Sequence, residues 1–301
     1  MRVLVTGSEG FLGNHVCRAL KERGHQVIGL DVVLGEGMVG RYPDSPTHPG
    51  TRYIQADITK LLPVMEMDAI IHLAAVASPN VCTANPEMAF SVNVLGTQQV
   101  LRLALESGAK KFVFSSSAHV YGVGPKYLPT DEYHPLYLQN TYTTTKILGE
   151  QLCQLFYDNH GLSYTVLRLF NAYGPGQGLG YFIPDMIKQA EGGVVGLGGH
   201  DTTKDWVYVD DVARAFCLAV ETPYAGVMNI GTGEQTQIGA IAQKIASELG
   251  AKFTCSSTGH FTRMQADWSR AKRVLGWEPT VSIWEGLSAV LSDAKVRSLV
   301  S

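Results

Sequence analysis

Short, uniformly apolar runs alternate with longer amphipathic stretches through the first half of this chain. Such runs are expected for strands that are buried on both faces of a parallel sheet, and the amphipathic stretches for helices that cover the sheet. The alternation therefore predicts an α/β fold with a doubly wound parallel sheet. The predicted strands cover residues 3–5, 26–30, 52–57, 69–75, 112–114, 164–169 and 228–230.

The pattern loosens beyond residue 170, where glycines recur through residues 176–199. Helical periodicity then returns only in separate stretches. One further helix is predicted to begin at Asp210 or Asp211, because either carboxylate can cap a helix N-terminus. The other predicted helices cover residues 86–107, 141–160, 183–190, 237–249, 269–275 and 283–295.

A glycine-rich turn joins the first predicted strand to a helix. Gly7, Gly10 and Gly13 recur at every third position, where glycines let the backbone approach a pyrophosphate and the helix N-terminus supplies free N–H groups. Asp31 ends the second strand, and an acidic residue there accepts hydrogen bonds from the adenosine ribose and repels a 2′-phosphate. No arginine follows before Arg41. The sequence therefore predicts NAD, rather than NADP, as the cofactor.

Three further strands end at the edge where parallel sheets bind ligands. Asp57 ends the third strand, and we expect it to contact the adenine edge. Ala74 and Ala75 end the fourth strand and leave room for a cofactor. His72, inside that apolar strand, is interpreted as a buried, hydrogen-bonded histidine rather than a catalytic one. The fifth strand runs into three serine hydroxyls at 115–117.

Tyr142 and Lys146 lie four residues apart in a predicted helix and therefore share one face. An ammonium group close to a phenol favours the phenolate and lowers the pKa of the phenol, which turns a weak acid into a usable general base. A Tyr-x-x-x-Lys spacing arises often by chance. Its interpretation therefore depends on the strands, glycines and hydroxyls that surround it.

Composition narrows the class of protein further. The 301 residues are 45% hydrophobic and 17% charged, as in a globular protein with one large domain or two lobes. A net charge of −3 gives no footprint for nucleic acid, and no apolar run is long enough to span a membrane. The five cysteines are scattered without a C-x-x-C pair. This predicts a soluble protein with reduced thiols in the cytoplasm, and no metal site.

Further motifs accompany these along the rest of the chain. They are Asn93, Leu167-Arg168-x-Phe170-Asn171-x-Tyr173-Gly174-Pro175, Tyr208-Val209-Asp210-Asp211-Val212-Ala213 and Lys272-Arg273-x-Leu275-Gly276-Trp277-x-Pro279. Together the motifs resemble the extended short-chain dehydrogenase/reductase superfamily, and within it the NAD-dependent sugar epimerase/dehydratase family. The resemblance implies a Rossmann-type NAD-binding domain over 1–169 and 206–230. It also implies a smaller, discontinuous substrate-binding lobe over 170–205 and 231–301.

The resemblance also implies roles for individual residues. Ser117 and Tyr142 would flank the sugar hydroxyl that is oxidised, and Lys146 would hold the nicotinamide ribose and keep Tyr142 acidic. The tyrosine takes the proton of the C4 hydroxyl while the C4 hydride passes to NAD+, which gives a bound 4-keto sugar. The predicted cofactor-binding residues are Gly7, Gly10, Phe11, Leu12, Gly13, Asp31, Asp57, Ile58, Leu73, Ala74, Ala75, Asn93, Ser115, Tyr142 and Lys146. The predicted substrate-binding residues are Ser117, His119, Asn171, Lys204 and Arg263.

The residues after Ser117 bear on the fate of the keto sugar. The 4,6-dehydratases of the family typically place an Asp-Glu pair there, whereas this chain has Ala118 and His119. The absence of both carboxylates favours epimerisation. Because an imidazole can also act as a base, dehydration and decarboxylation stay as alternatives to a hydrogen-bonded His119 that only lines the pocket.

Two departures concern the grip on a nucleotide diphosphate. Family members use an arginine in a Gly-Asp-Gly-x-x-x-Arg-Asp run, and Lys204 stands in that place here. A lysine keeps the charge but loses bidentate phosphate recognition. A second family arginine falls on Ser257, with Arg263 nearby. A dehydrogenase acting on an unusual or non-nucleotide alcohol is therefore another alternative.

The first hypothesis is a nucleotide-sugar 4-epimerase that uses tightly bound NAD+ without net turnover. A non-enzymatic NAD sensor or scaffold that has kept the fold is a further alternative, but the intact Ser117, Tyr142 and Lys146 disfavour it. Family members pack the two helices predicted here at 86–107 and 141–160 into a four-helix dimer interface. We therefore expect a homodimer.

Overall fold

The computed structural model describes residues 1–33, 51–199, 201–256 and 262–300, the last six as backbone only. The strands are β1 (Arg2–Thr6), β2 (Gln26–Asp31), β3 (Arg52–Gln55), β4 (Ala69–His72), β5 (Lys111–Ser117), β6 (Ser163–Leu169), β7 (Asn171–Tyr173), β8 (Val194–Gly198), β9 (Thr203–Lys204), β10 (Trp206–Tyr208), β11 (Gly226–Ile230), β12 (Thr236–Gln237) and β13 (Lys252–Ser256). The α-helices are α1 (Phe11–Glu22), α2 (Pro79–Ala84), α3 (Pro86–Phe90), α4 (Thr97–Glu106), α5 (Thr141–His160), α6 (Phe182–Glu191), α7 (Val209–Glu221), α8 (Ile238–Glu248), α9 (Ser269–Leu275) and α10 (Ile283–Val300).

Seven parallel strands form the central sheet, in the order β11-β6-β5-β4-β1-β2-β3. Successive side chains of a strand point to opposite faces, and β1 is buried on both. Val3 and Val5 pack on one face with α1 and α7, while Leu4 packs on the other with α4 and α5. The predicted doubly wound α/β fold is therefore confirmed. Between β1 and β4 the strand order reverses, and this is where such sheets bind ligands.

The stretch predicted as one helix over 86–107 is divided into three. Helix α3 leads into a π-helical turn over Ser91–Gly96, and α4 continues from Thr97. A π-helical turn inserts a residue relative to the α-helix and is frequent at functional sites. Here it contains Asn93, whose side chain is buried. The hydrophobic pattern does not reveal the insertion, because both helix types keep one apolar face toward the sheet.

The expected cap of the helix near residue 210 is wrong. Helix α7 begins at Val209, and its N-cap is Tyr208, the end of the short strand β10. Asp210 and Asp211 lie inside the first turn and make tertiary contacts instead. Asp210 accepts hydrogen bonds from His15 and Arg18, and Asp211 accepts from the backbone N–H groups of Thr280 and Val281. Long-range partners outweigh the local capping preference.

The later part of the chain builds its own apolar cluster. Helices α6, α8 and α10 pack together through Ile183, Ile241 and Leu287, beside the parallel pair β8–β13. The helices predicted at 183–190, 237–249, 269–275 and 283–295 all form, within a few residues of the expected ends. Among the described residues, no helix is both long and apolar enough to cross a membrane.

Candidate active site

A cleft of about 790 Å³ opens at the carboxyl ends of the central strands. Its cofactor half is lined by the glycine turn, Asp31, Asp57 and the loop after β4. Its substrate half is lined by Ser117, His119, Asn171, Tyr181 and Met264. Tyr142 and Lys146 lie in the lining as well, on α5.

The glycine turn is shaped for a close backbone approach. Gly7 has a left-handed φ of 70°, and a Cβ there would lie 2.7 Å from the backbone nitrogen of Ala74. A Cβ on Gly13 would lie 2.0 Å from the carbonyl oxygen of Gly7. Helix α1 starts at Phe11 with no side chain capping it, and the residues of its first turn line the cleft. This cradle fits the pyrophosphate of a dinucleotide.

The two acidic residues predicted to contact adenosine both line the cofactor half. The Asp31 carboxylate accepts a hydrogen bond of 3.0 Å from the backbone N–H of Glu9, which fixes it beside the glycine turn. The Asp57 carboxylate accepts from the backbone and hydroxyl of Thr59, both at 2.8 Å, and these bonds lower the pKa of Asp57. Ile58 lies beside it in the lining. Arg41 falls outside the described residues.

Asn93 lies behind the cleft rather than in its lining. Its amide oxygen accepts from the backbone N–H of Val76 at 2.7 Å, and its amide nitrogen donates to the Val76 carbonyl and to the Thr145 hydroxyl. The side chain thus ties the loop after Leu73, Ala74 and Ala75 to helix α5. The structure gives Asn93 a positioning role, and direct contact with the cofactor stays a prediction.

His72 is a structural histidine, as the sequence indicated. Its Nδ1 lies 2.7 Å from the Thr6 hydroxyl and its Nε2 lies 2.9 Å from the Thr97 hydroxyl. The Thr97 hydroxyl donates to the Asn93 carbonyl, so it must accept from Nε2. Burial, and to a lesser degree the charge of Lys146, lower the pKa of His72 to about 3. The ring is therefore neutral and connects β4 with β1 and α4.

Helix α5 carries the candidate catalytic pair. A capping box at Asn140 and Thr143 fixes its first turn, and both Tyr142 and Lys146 are buried one turn apart. The Lys146 ammonium donates to the carbonyl oxygen of Ser115 at 2.8 Å and lies 5.9 Å from the centre of the Tyr142 ring. The Tyr142 hydroxyl is hydrogen-bonded to Ser117. The three predicted catalytic side chains therefore meet at one point.

The pKa of Tyr142 does not follow the sequence expectation. Burial raises this pKa well above its ordinary value, and the hydrogen bond with Ser117 only partly opposes the effect. Burial also lowers the pKa of Lys146 to about 8. Desolvation disfavours both charged forms, and it is the largest cause of both shifts. Tyr142 is thus a neutral phenol in the resting protein, joined to a hydroxyl that can pass on a proton.

A buried polar network lies next to the cluster of Ser117, Tyr142 and Lys146. Glu150, one turn beyond Lys146, accepts from the Ser116 hydroxyl and forms an ion pair with Arg168. Arg168 continues to the Tyr121 hydroxyl, 3.0 Å away, and Tyr121 donates to Asn229 at 2.6 Å. The network joins α5, β5, β6 and β11. It holds the serine strand in register with the helix that bears Tyr142.

The predicted substrate-binding residues are brought together only in part. His119 and Asn171 line the substrate half, although the Asn171 amide donates to the carbonyl of Asp205. Lys204 is partly buried behind Met264, whose sulfur lies 3.5 Å from the ammonium. Arg263 is exposed, with its backbone bridged to Thr203. Ser257 lies outside the described residues.

Sequence reasoning missed several residues of the substrate half. Tyr181 and Phe182 come from the start of α6, Trp206 from β10 and Met264 from the segment before α9. They belong to segments distant in sequence, and no local spacing links them. The only sequence signal was the glycine-rich stretch before Tyr181, which is typical of a loop that borders a ligand.

A Rossmann-type sheet with a phosphate-binding glycine turn and a Ser–Tyr–Lys cluster defines a short-chain dehydrogenase/reductase-type redox site. A model of the NAD dependent epimerase/dehydratase family matches residues 3–231. The chain belongs to this family, as the motifs indicated, and NAD is its cofactor. The tight glycine turn, in which a Cβ at Gly7 or Gly13 would clash with the protein backbone, fits that cofactor.

The similar proteins have more than one activity. The chain is 32% identical over 323 residues to UDP-glucose 4-epimerase of Mycolicibacterium smegmatis, covering 99% of this chain and 100% of that one. It is 31% identical over 310 residues to UDP-glucuronic acid decarboxylase 6 of Arabidopsis thaliana, covering 99% and 90%. A solved UDP-glucose 4-epimerase from Thermotoga maritima, with UDP-glucose, superposes with a TM-score of 0.87 at 30% identity, covering 100% of both chains. The family membership thus supports an NAD-dependent enzyme and leaves its particular reaction open.

Proposed function

We propose that the protein is an NAD-dependent nucleotide-sugar 4-epimerase. The observation that carries the proposal is the meeting of Ser117, Tyr142 and Lys146 in a cleft whose substrate half is lined by no described carboxylate. Among the described residues that line the cleft, the acidic ones are Asp31 and Asp57, both in the cofactor half. A site with a proton-transfer group and no additional carboxylate suits reversible oxidation at one carbon.

The chain's own groups would handle the proton and hold the sugar. NAD+, when bound, supplies the acceptor for the C4 hydride. For the forward step Tyr142 first loses its own proton to solvent, and the Lys146 ammonium would favour the resulting phenolate. Ser117 then hydrogen-bonds the C4 hydroxyl and relays its proton to the phenolate oxygen of Tyr142. The sugar then turns over in the substrate half. Tyr142 returns the proton as the hydride is delivered to the opposite face of C4.

Dehydration is disfavoured because it needs an acid for the departing hydroxyl and a base for the C5 proton. Ala118 can supply neither. Burial, and to a lesser degree the charge of Lys204, lower the pKa of His119 to about 4. The His119 imidazole is therefore a weak base. The similar proteins include UDP-glucose 4-epimerases and a decarboxylase, so decarboxylation and net oxidation are the outcomes against which epimerisation must be tested.

The test is incubation of the NAD-loaded protein with UDP- and dTDP-hexoses and, separately, with UDP-glucuronate, with the NADH absorbance band followed and the products analysed. We expect a C4 epimer and no accumulation of NADH. Net production of NADH would show that the protein is a dehydrogenase. A 4-keto-6-deoxy sugar would show that it is a dehydratase, and release of CO2 would show that it is a decarboxylase. Each of these products would contradict the epimerase.

We also propose a homodimer through α5 and the helical stretch over 79–106. Large apolar side chains are exposed on both elements, and a monomer rarely leaves so many together on one side. They are Val81, Met88, Phe90, Leu95, Leu148, Leu155 and Tyr157. Light scattering should give twice the mass of one chain, and Leu95→Glu should give a single chain. A wild-type monomer would refute the proposal.

Three further assignments stay proposals. Residues 1–169 with 206–230 would form the NAD-binding domain, and 170–205 with 231–301 the substrate-binding lobe. The cytoplasmic location rests on five cysteines that are all free thiols. Lys204 and Arg263 are not among the described residues that line the cleft, and a diphosphate grip by either of them stays a proposal.

A further inference from the structure

One buried carboxylate lies between the separate segments that build the substrate half of the cleft. Asp205 joins β9 to β10 and is fully buried. One of its carboxylate oxygens accepts from the backbone N–H and the hydroxyl of Thr232, at 2.7 and 2.8 Å. The other accepts from the backbone N–H groups of Gly233, at 2.8 Å, and Ala266, at 2.9 Å. Burial raises the pKa of Asp205, and these bonds to the charged form oppose the shift. With four bonds accepted, no lone pair is left for a proton.

The backbone of Asp205 holds a residue of the cleft lining directly. Its carbonyl oxygen accepts from the backbone N–H of Asn171 at 3.0 Å and from the Asn171 side-chain amide at 2.9 Å. The next residue, Trp206, is buried, pairs in register with Asn171 across β10 and β7, and lines the cleft as well. A shift of Asp205 would therefore move two side chains of the substrate half.

The carboxylate of Asp205 also fixes the segment that carries Met264. The backbone N–H of Met264 donates to the carbonyl oxygen of Thr203 at 3.2 Å, and two residues further on Ala266 donates to the Asp205 carboxylate. The Met264 side chain lines the cleft between these two bonds. The packing here is close, because a Cβ on Gly231 would lie 2.6 Å from the Cβ of Ala266. One carboxylate thus ties the segment before α9 to the turn after β11.

We propose that Asp205 is a positioning residue for substrate binding, which holds Asn171, Trp206 and Met264 in the arrangement that accepts the sugar nucleotide. The inference rests on the proposed function, because it takes these side chains to contact that substrate. Hydrogen bonds to an ionised acceptor are about twice as strong as neutral ones. An asparagine would keep the shape, but its amide nitrogen cannot accept, so at least one backbone N–H would lose its acceptor. The segment that bears this N–H would then shift relative to β10.

Asp211 on α7 provides a matched control. It is also buried, and it accepts from the backbone N–H and the hydroxyl of Thr280 and from the backbone N–H of Val281. This repeats the pattern at Asp205, with an ion pair to Arg214 in addition. None of these four residues is among the described residues that line the cleft. Loss of a buried carboxylate should therefore cost Asp211→Asn at least as much stability as Asp205→Asn, without an effect on the substrate half.

The test measures KM, kcat and thermal unfolding of both NAD-loaded variants with the UDP- or dTDP-hexose that wild type converts. We expect Asp205→Asn to raise KM about tenfold, as loss of a charge-assisted hydrogen bond implies, and to change kcat less than about threefold. Asp211→Asn should leave KM and kcat within about twofold of wild type. If Asp205→Asn does not fold, Thr232→Val removes one hydroxyl bond to Asp205, and Thr280→Val is its control at Asp211. The first should then raise KM about threefold more than the second.

Equal KM values in the two members of a pair would overturn the positioning role, because Asp205 would then act on stability alone. A loss of kcat at unchanged KM in Asp205→Asn would overturn it as well. If wild type neither binds nor converts any of these sugar nucleotides, the proposed function falls, and this inference falls with it. Turnover by wild type with an unchanged KM in Asp205→Asn would remove only the inference and leave the proposed function standing.

Discussion

The two halves of the cleft are built in different ways. The cofactor half is made mainly of backbone: a turn in which Gly13 has no room for a side chain, an uncapped helix start and short loops at strand ends. The substrate half is made of side chains such as His119, Asn171, Tyr181 and Met264, which come from separate segments of the chain. The first depends on local geometry, and the second on long-range packing.

This difference explains why the chemistry is easier to infer than the substrate. A glycine turn leaves a fixed spacing in the sequence, because the turn itself requires it. A side chain such as Met264 meets the cleft only after the chain has folded, and its neighbours in sequence carry no trace of that contact. Tyr142 belongs to both halves. It lies on a regular helix, yet its hydroxyl acts on the substrate.

The largest expected effect is on kcat and comes from a substitution at Tyr142, where the two halves of the cleft meet. Tyr142→Phe removes the proton-transfer group and should lower kcat by roughly 10³-fold, since a general acid–base group typically contributes 10²–10⁴-fold. NAD content should stay at the wild-type level, because the phenyl ring keeps the packing. Steady-state kinetics and the absorbance of the released cofactor measure the two quantities.

Tyr181→Phe is the matched control for this variant. Tyr181 also lines the cleft, but its hydroxyl has no role in the proposed proton transfer, so kcat should change less than about tenfold. Equal losses in the two variants would mean that Tyr142 only shapes the cleft. Unchanged activity in Tyr142→Phe would instead favour the non-enzymatic scaffold.

A second effect, on the free energy of unfolding, tests whether the two halves of the cleft depend on the buried network of Glu150 and Arg168. Glu150→Ala leaves the Arg168 charge buried without its partner and should lower the free energy of unfolding by about 3 kcal/mol. Glu191→Ala breaks the exposed pair with Lys188 and should cost less than about 1 kcal/mol. Urea titration measures both. Similar costs would show that the network beneath Ser116 adds little.

Much of the fold and half of the site could be predicted from the sequence. The sheet, the glycine turn, Asp31 and the structural role of His72 each follow from a local pattern. The Ser117–Tyr142–Lys146 cluster follows from the resemblance to the family. The pKa of Tyr142 could not, because the sequence gives the distance to a lysine but not the depth of burial that outweighs it. The π-helical turn at Asn93 and the contact of Lys204 with Met264 depend likewise on tertiary packing.

The third effect separates required glycines from permitted ones. A methyl group at Gly13 would meet the Gly7 carbonyl at 2.0 Å, and we expect Gly13→Ala to cost about 2 kcal/mol of stability and most of the bound NAD. At Gly178, near the substrate half, a methyl group would have no other atom within 4 Å. Gly178→Ala should therefore leave stability and NAD content unchanged. Thermal unfolding measures the stability of each variant, and cofactor analysis measures its NAD content. A Gly13→Ala variant with wild-type stability and NAD content would contradict the proposed backbone cradle for NAD.

The last effect appears only in acid and concerns His72, which supports the cofactor half. Its pKa is lowered to about 3, so below pH 6.5 the unfolded chain binds a proton that the native ring refuses. The free energy of unfolding should therefore fall by about 1.4 kcal/mol for each pH unit between pH 6.5 and 3, and be independent of this group above that range.

His72→Asn removes the titration, so the difference in unfolding free energy between wild type and variant should shrink steadily as the pH falls through this window. His160→Asn, at the exposed end of α5, should keep the wild-type slope. Denaturant titrations at several pH values measure both slopes. A His72→Asn curve parallel to wild type would mean that the buried ring accepts a proton, and the hydroxyls of Thr6 and Thr97 would then have to accept hydrogen bonds from both ring nitrogens. The Thr97 hydroxyl can do so, since its own proton goes to the Asn93 carbonyl. The Thr6 hydroxyl would have to turn its own proton away from Nδ1 and accept from the protonated ring instead.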